Sequence, residues 1–228
     1  MDYKRILVFG AHPDDELTMA GTMAKLAGDG VHVAICTPTN GSEGFPRPEM
    51  KDSIVAVRAK EMAEADKVLG ASERICIGAE DMGLTNDKAT FKEFIRVIRA
   101  VRPDVVFTHG PHDMHRDHLA THAISKEAYW QAGQPVSTDL GEPWRAPYLI
   151  YYKGVADRQP DIVLDVTGFA HIRVLARATQ VSQYTLWGRT REDFEREAEQ
   201  IRNSPGPHTE TFWFSERIHI SYLPPLAL

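Results

Sequence analysis

Ala11-His12-Pro13-Asp14-Asp15-Glu16, the stretch AHPDDE, decides how the fold of this chain is read. It follows Ile6-Leu7-Val8-Phe9-Gly10, an apolar run of the length expected for a short buried strand, and leads into residues 17–26, which carry a helical pattern. The polar cluster therefore sits on a strand-to-helix turn. In an open α/β sheet such turns lie at the carboxyl ends of the strands, where these folds bind their ligands. One imidazole and three carboxylates crowd into five residues at the start of a helix, whose partial positive charge favours anions. Like charge at this density is costly unless a cation is shared.

Outward from that turn the chain alternates strand and helix. Residues 5–10 read as a strand and 17–27 as a helix, with Gly28 and Gly30 as stop signals. Residues 31–36 form a second strand, expected to pair parallel with the first through a right-handed crossover. A long loop rich in Pro, Gly and Asn covers 37–51, and long loops at this end of a sheet tend to be functional. Residues 53–69 are helical, with Ile54, Val57, Met62, Ala65 and Leu69 facing inward, and 74–77 make a third strand. A helix over 86–101 is stopped by Pro103, and 104–108 form a fourth strand. A second polar cluster, His109 to His118, follows that strand and precedes a helix over 119–131, repeating the arrangement at AHPDDE. Residues 132–147 read as a surface excursion, 148–152 and 162–166 as strands, 169–181 and 191–202 as helices, and 212–220 as a final aromatic strand. The expectation is a single domain over residues 1–228, a Rossmann-like α/β fold with a mostly parallel sheet flanked by helices.

Composition narrows the function. A chain of 228 residues can bury a sizeable core, and neither a repeat nor a linker divides it. The net charge of −6 argues against nucleic acid as a partner, because phosphate binding needs a basic face. Neither a signal-peptide pattern nor an apolar run of ~18 residues is found, so the expectation is a soluble cytoplasmic protein without a membrane span. Cys36 and Cys76 lie in apolar strand-like runs and read as small buried side chains. Self-association into a homo-oligomer fits an enzyme with an aromatic final strand.

The chemistry rests on the two polar clusters. His12 and Asp15 are three apart and can face one point where a turn enters a helix, while Asp14 projects to one side. In His115-Arg116-Asp117-His118, His115 and Asp117 share a side if the segment is extended, and His118 opens the helix. Two imidazoles and one carboxylate, from His12, Asp15 and His118, are a common donor set for catalytic zinc with an open position for water. Such a metal lowers the pKa of its water towards neutrality, and Asp14 is placed to act as general base. Fe²⁺ or another divalent ion suits the same donors.

These features resemble the PIG-L (LmbE-like) family of zinc-dependent N-deacetylases. The resemblance rests on AHPDDE, on Thr39-Asn40-Gly41 after the second strand, on the Arg58 to Glu61 spacing before Leu69-Gly70, and on HRDH at 115–118. It implies that His12, Asp15 and His118 hold zinc, that Asp14 is the general base, and that His115 stabilises the oxyanion and assists the leaving amine. Asp117 would orient His115 and favour its protonated form. It also implies a small N-acyl substrate, most often a glucosamine-containing sugar derivative. One departure concerns the family's usual histidine shortly before Ser-Gln, where this chain has Gln180-Val181-Ser182-Gln183.

Several residues carry two readings. Arg58 either anchors a sugar hydroxyl or phosphate, as the resemblance suggests, or pairs with Glu61 or Glu64 on the helix surface. Asp81 either binds substrate or shapes a turn. His109 and His112 either line the pocket or are supporting or solvated side chains, and Asp113 has either a pocket role or a turn role. Trp187, Trp213 and Phe214 read as core or interface rather than a sugar platform. Two rival functions share the donors: a non-haem Fe(II) oxygenase, against which the β/α alternation speaks, and a metal- or ligand-binding module with little turnover, which has no need of Asp14 and His115. A dinucleotide site is disfavoured because the first turn lacks G-x-G-x-x-G and its carboxylates repel a pyrophosphate.

Overall fold

Apolar side chains alternate along the first strand, and this alternation builds the molecule on both sides of one sheet. The computed structural model describes residues 3–204 and 206–216. Strands β1 (Arg5–Phe9), β2 (His32–Thr39), β3 (Glu73–Ala79), β4 (Val105–His109) and β5 (Tyr148–Lys153) are parallel. They are extended by β6 (Ile162–Asp165) and β7 (Thr209–Phe214), which pair antiparallel, giving the seven-strand order β3-β2-β1-β4-β5-β7-β6. Leu7 and Phe9 of β1 pack on one face with Cys36, Val106 and the helices α3 (Lys88–Val101) and α4 (Arg116–Ala132). Ile6 and Val8 pack on the other with Val33, Ile35 and Phe107, under α1 (Ala20–Gly28) and α2 (Ile54–Leu69). Both faces are covered, as a parallel sheet requires. This is the single mixed, mostly parallel α/β domain that the alternation implies.

The chain leaves β1 towards β2 on one side and returns with β4 on the other, so the strand order reverses between β1 and β4. Loops leaving adjacent strands in opposite directions open a crevice at their carboxyl ends. Both polar clusters emerge there. Gly110 lets the loops after β4 and β5 close on each other: a Cβ at this position would lie 2.4 Å from the Gly154 carbonyl oxygen. Backbone bonds from Gly110 N to Lys153 O (2.7 Å) and from His112 N to Gly154 O (2.8 Å) hold the second cluster in place.

Several expectations need correction. The residues after Asp14 first form a tight 3-10 turn, Asp15–Met19, before α1 begins. The helix expected from 119 starts at Arg116, because His115 caps it, so the 115–118 segment is not extended. The face of α2 expected to be wholly apolar buries Arg58 and Glu61, while Val57 is only half-buried. The helix expected over 169–181 is broken into α5 (Ala170–Arg177) and α6 (Val181–Tyr184), and α7 (Arg191–Arg202) follows. Cys76 is exposed, since β3 is an edge strand. Of the final strand, residues 217–220 lie outside the described residues. No helix among the described residues is long and apolar enough to cross a membrane.

Candidate active site

The first cluster is held from three sides. Ala11 N–H donates to His109 Nε2 (3.0 Å), Thr39 Oγ1 donates to the Ala11 carbonyl (2.8 Å), and His12 N–H donates to Asp15 Oδ2 (2.8 Å). The second cluster is fixed as the N-terminus of α4, with the His115 Nδ1 accepting the Asp117 N–H (3.2 Å). Between the clusters lies an open cleft of about 390 Å³ lined by His12, Asp14, Asp15, Arg58, His115 and His118, among others.

Three donor groups converge in that cleft. His12 Nδ1 lies 3.2 Å from His118 Nε2 and 3.3 Å from Asp15 Oδ2, and His118 Nε2 lies 3.3 Å from Asp15 Oδ1. A tetrahedral ion with ligand bonds of ~2.0–2.1 Å requires ligand atoms about 3.3 Å apart, so the spacing fits a zinc-sized cation. Each ring presents one nitrogen inward and ties the other to a carboxylate: His12 Nε2 to Asp117 Oδ2 (3.0 Å) and His118 Nδ1 to Asp113 Oδ2 (2.8 Å). Such carboxylate partners set the tautomer and raise the basicity of the free nitrogen. His115 can bring a nitrogen to the same point, and so can His109 towards Asp15 and His118. The His109 Nε2, however, already accepts from Ala11.

Burial works against a charged Asp15, but hydrogen bonds from His118 and His12, with the positive charge of Lys153, hold its carboxyl well below the usual carboxylate range. The Lys153 ammonium sits 2.5 Å from Asp15 Oδ1. Burial likewise opposes charge on His12, yet the bond to and charge of Asp15, with Asp117, lift its pKa to about 9. Desolvation lowers His115, and its neighbours His12 and His118 push the same way. This downward direction is opposite to the one expected from an Asp117 partner. The reason is that the Asp117 carboxylate does not face it. That carboxylate is fully buried and accepts from Met82 N–H (2.6 Å), Leu84 N–H (3.3 Å) and the His12 ring. Asp117 touches His115 through its backbone N–H instead.

Asp14 stands at the mouth of the cleft, and Arg58 lies behind it. The guanidinium, 2% exposed, donates from Nη2 to Asp14 Oδ2 (2.9 Å) and Pro13 O (2.7 Å), and from Nη1 to Glu61 Oε2 (3.0 Å) and Gln180 Oε1 (2.9 Å). Its four terminal N–H groups are spent within the protein, which corrects the expectation that it anchors substrate; the pairing with Glu61 is present, but buried. Asp81 is also engaged, accepting from Gly41 N–H (2.9 Å) and Glu43 N–H (3.1 Å), so it pins the 40–43 loop rather than offering a free carboxylate. Glu16, third carboxylate of AHPDDE, points away and pairs with Arg74 (2.6 Å).

Several residues support the site from behind. Asp113 steadies the second cluster, accepting from His115 N–H (2.9 Å) and from the His118 ring. Tyr152 reaches Phe9 O (3.1 Å) and His109 Nε2 (3.0 Å), and His109 is fully buried behind Asp15. His112 lies outside the cluster. Gln180 stands in the break between α5 and α6 and fills the space behind Arg58. Asp113 had a legible signal, its place two residues before HRDH. Lys153 and Tyr152 had none, since only the parallel β4–β5 pairing carries them to the site.

A family model for PIG-L, described as GlcNAc-PI de-N-acetylase, matches residues 7–129, more than half of the chain. The chain belongs to the PIG-L family. Within this family it is 35% identical over 175 residues to the 1D-myo-inositol 2-acetamido-2-deoxy-alpha-D-glucopyranoside deacetylase of Thermomonospora curvata, covering 64% of this chain and 59% of that protein. The chain spans about three fifths of the length of such curated relatives. Its fold is that of the N,N'-diacetylchitobiose deacetylase of Pyrococcus horikoshii, at TM-score 0.79 and 24% identity, covering 93% of this chain and 84% of that one. A 4-carboxy-2-hydroxymuconate hydratase of Pseudomonas putida KT2440 shares the PIG-L fold equally, at TM-score 0.79 and 22% identity, covering 97% and 100%. Fold therefore does not choose the reaction, and the site has to.

Proposed function

We propose that this chain is a zinc-dependent N-deacetylase that removes an N-acetyl or other N-acyl group from a small N-acetylglucosamine-containing compound. One observation carries the reading: two imidazole nitrogens 3.2 Å apart, each 3.3 Å from one oxygen of the Asp15 carboxylate, beside a second carboxylate that coordination does not need and that Arg58 holds in position. The relative from Thermomonospora curvata, named for removing the acetyl group of a 2-acetamido sugar, supports the substrate class.

His12 through Nδ1, His118 through Nε2 and Asp15 through its carboxylate would hold the ion. When bound, zinc supplies Lewis acidity and brings the pKa of a water molecule towards neutrality. Asp14 Oδ2 is occupied by Arg58, so Oδ1 is left to take the proton of the attacking water. His115 accepts at Nδ1, so its ring proton is on Nε2, where it can be donated to the amide oxygen as negative charge develops there. The proton held by Asp14 then passes to the leaving nitrogen, the C–N bond breaks, and the acid and the free amine depart. Asp117 and Asp113 hold the two ligand rings, and Arg58, Glu61 and Gln180 hold Asp14.

The test is release of free amine from N-acetylglucosaminides by the zinc-loaded protein and its Asp14→Asn variant, with metal content measured in both. The variant is expected to keep its metal and to lose ~10²–10⁴ in kcat, the range of a positioned general base. A metal-loaded parent that releases no amine from any N-acyl compound would overturn the reading. Oxygen uptake with Fe(II) in place of zinc would replace it with the oxidative alternative.

A further inference from the structure

Next to the catalytic cleft lies a second cavity of about 530 Å³, meeting the first at Asp14 and Gln183. It runs from the AHPDDE turn to Trp187, and one wall is α5, which presents Arg173 and Arg177 to it. These arginines are four apart on a helix, so they are neighbours on one face. Both are exposed, and neither donates a hydrogen bond or forms an ion pair among the described residues. The charge of Arg173 acts on the buried Glu210 carboxyl, lowering its pKa against the larger, raising effect of burial. Arg189, also in the lining, differs: Glu197 pairs with it at 2.6 Å, and its guanidinium lies over Phe194. The cavity lining thus combines the Asp14 carboxylate with two guanidinium groups that have no hydrogen-bond or ion-pair partner among the described residues. Trp187, 82% exposed, also lines this cavity.

We propose that Arg173 and Arg177 form an anion subsite, so that the substrate carries a phosphate- or carboxylate-type group on the part remote from its acyl amide. The inference rests on the deacetylase reading for the position of the amide beside Asp14. Two adjacent guanidiniums repel each other until an anion lies between them, and a planar fork matches either carboxylate or phosphate oxygens. Asp14 repels the same anion, which orients the ligand: neutral amide at the carboxylate end, charged group at the arginine end. A volume of about 530 Å³ holds a sugar-sized ligand.

Three probes separate the outcomes: the methyl glycoside of N-acetylglucosamine, its 1-phosphate and its carboxymethyl glycoside. Binding is measured by calorimetry on the zinc-loaded Asp14→Asn protein, where turnover is suppressed, and hydrolysis on the parent. At least one charged probe is expected to bind about tenfold tighter than the methyl glycoside, an advantage that shrinks at high salt. Which of the two wins tells phosphate from carboxylate. The advantage is expected to vanish in Arg173→Gln/Arg177→Gln and to survive in part in Arg173→Lys/Arg177→Lys, while the methyl glycoside binds all three proteins alike. Both side chains are exposed and unpaired, so these variants leave the core intact. Equal binding of neutral and charged probes, or an advantage that outlasts both arginines, overturns the proposal. Selective binding of a charged probe without amine release would count against the deacetylase reading and leave the subsite standing.

Discussion

Arg58 illustrates how a side chain's neighbours decide its role. It reads equally as a substrate anchor or a helix-surface ion pair, but its four terminal N–H groups are donated inside the protein. Glu61, 5% exposed, depends on it, and removing one partner of a buried pair leaves an uncompensated charge. Arg58→Met is expected to cost about 3–5 kcal/mol, read as a lower urea midpoint at unchanged slope, and to slow amide hydrolysis as Asp14 loses its anchor. An unchanged midpoint would show that the guanidinium is dispensable. His12 supplies a second test. Its pKa near 9 means that the folded protein without metal keeps this ring charged below that value. An ion taking Nδ1 must displace the proton, whereas Asp15, held far below the carboxylate range, has none to lose. Zinc affinity in competition with a chelator is therefore expected to fall by about tenfold for each pH unit below about 9. A flat profile between pH 6 and 9 would remove His12 from the donor set.

Element ends do most of the positioning. The cap at His115 starts α4 three residues earlier than the apolar pattern suggests, and this turns the Asp117 carboxylate towards His12 and the 82–84 backbone. The break after α5 is another such device, because a continuous helix through residue 180 would not lay Gln180 against Arg58. Gly110 sets the approach of the loops after β4 and β5, where a methyl group would overlap the Gly154 carbonyl. Gly110→Ala is expected to lose about 1–3 kcal/mol of stability, the usual cost of overpacking, and to weaken metal binding because the 112–118 loop shifts with it. Thermal melts with and without zinc would check both, and an unaltered melting temperature would mean that the loops part without strain. The element pattern itself was legible in the sequence: the first six strands and most helices fall where their periodicity puts them, while β7 begins three residues before the expected final strand. Caps and breaks were not, since they depend on partners far along the chain.

At the scale of the molecule, the last strand is tied to the first helix. Glu210 of β7, 8% exposed, accepts from the N–H groups of Gly21 and Thr22 at the start of α1, at 2.9 and 2.8 Å. These donors begin a helix and have no partner within it. Glu210→Ala is expected to cost about 1–3 kcal/mol by leaving them buried and unpaired, with Glu210→Gln milder because it keeps an acceptor. Equal denaturation curves for all three proteins would show that water replaces the carboxylate. By itself, the sequence determined the α/β alternation and the two strand-to-helix turns that carry His12, Asp14, Asp15, His115 and His118 to one end of the sheet, because local periodicity needs no contact information. Only the tertiary structure decided which carboxylate faces which ring, why Arg58 and Asp81 are not free, and that Lys153 and Tyr152 belong to the site. Hydrogen bonds between residues a hundred positions apart leave no periodic trace in a chain, and burial decides which of several nearby donors each acceptor receives.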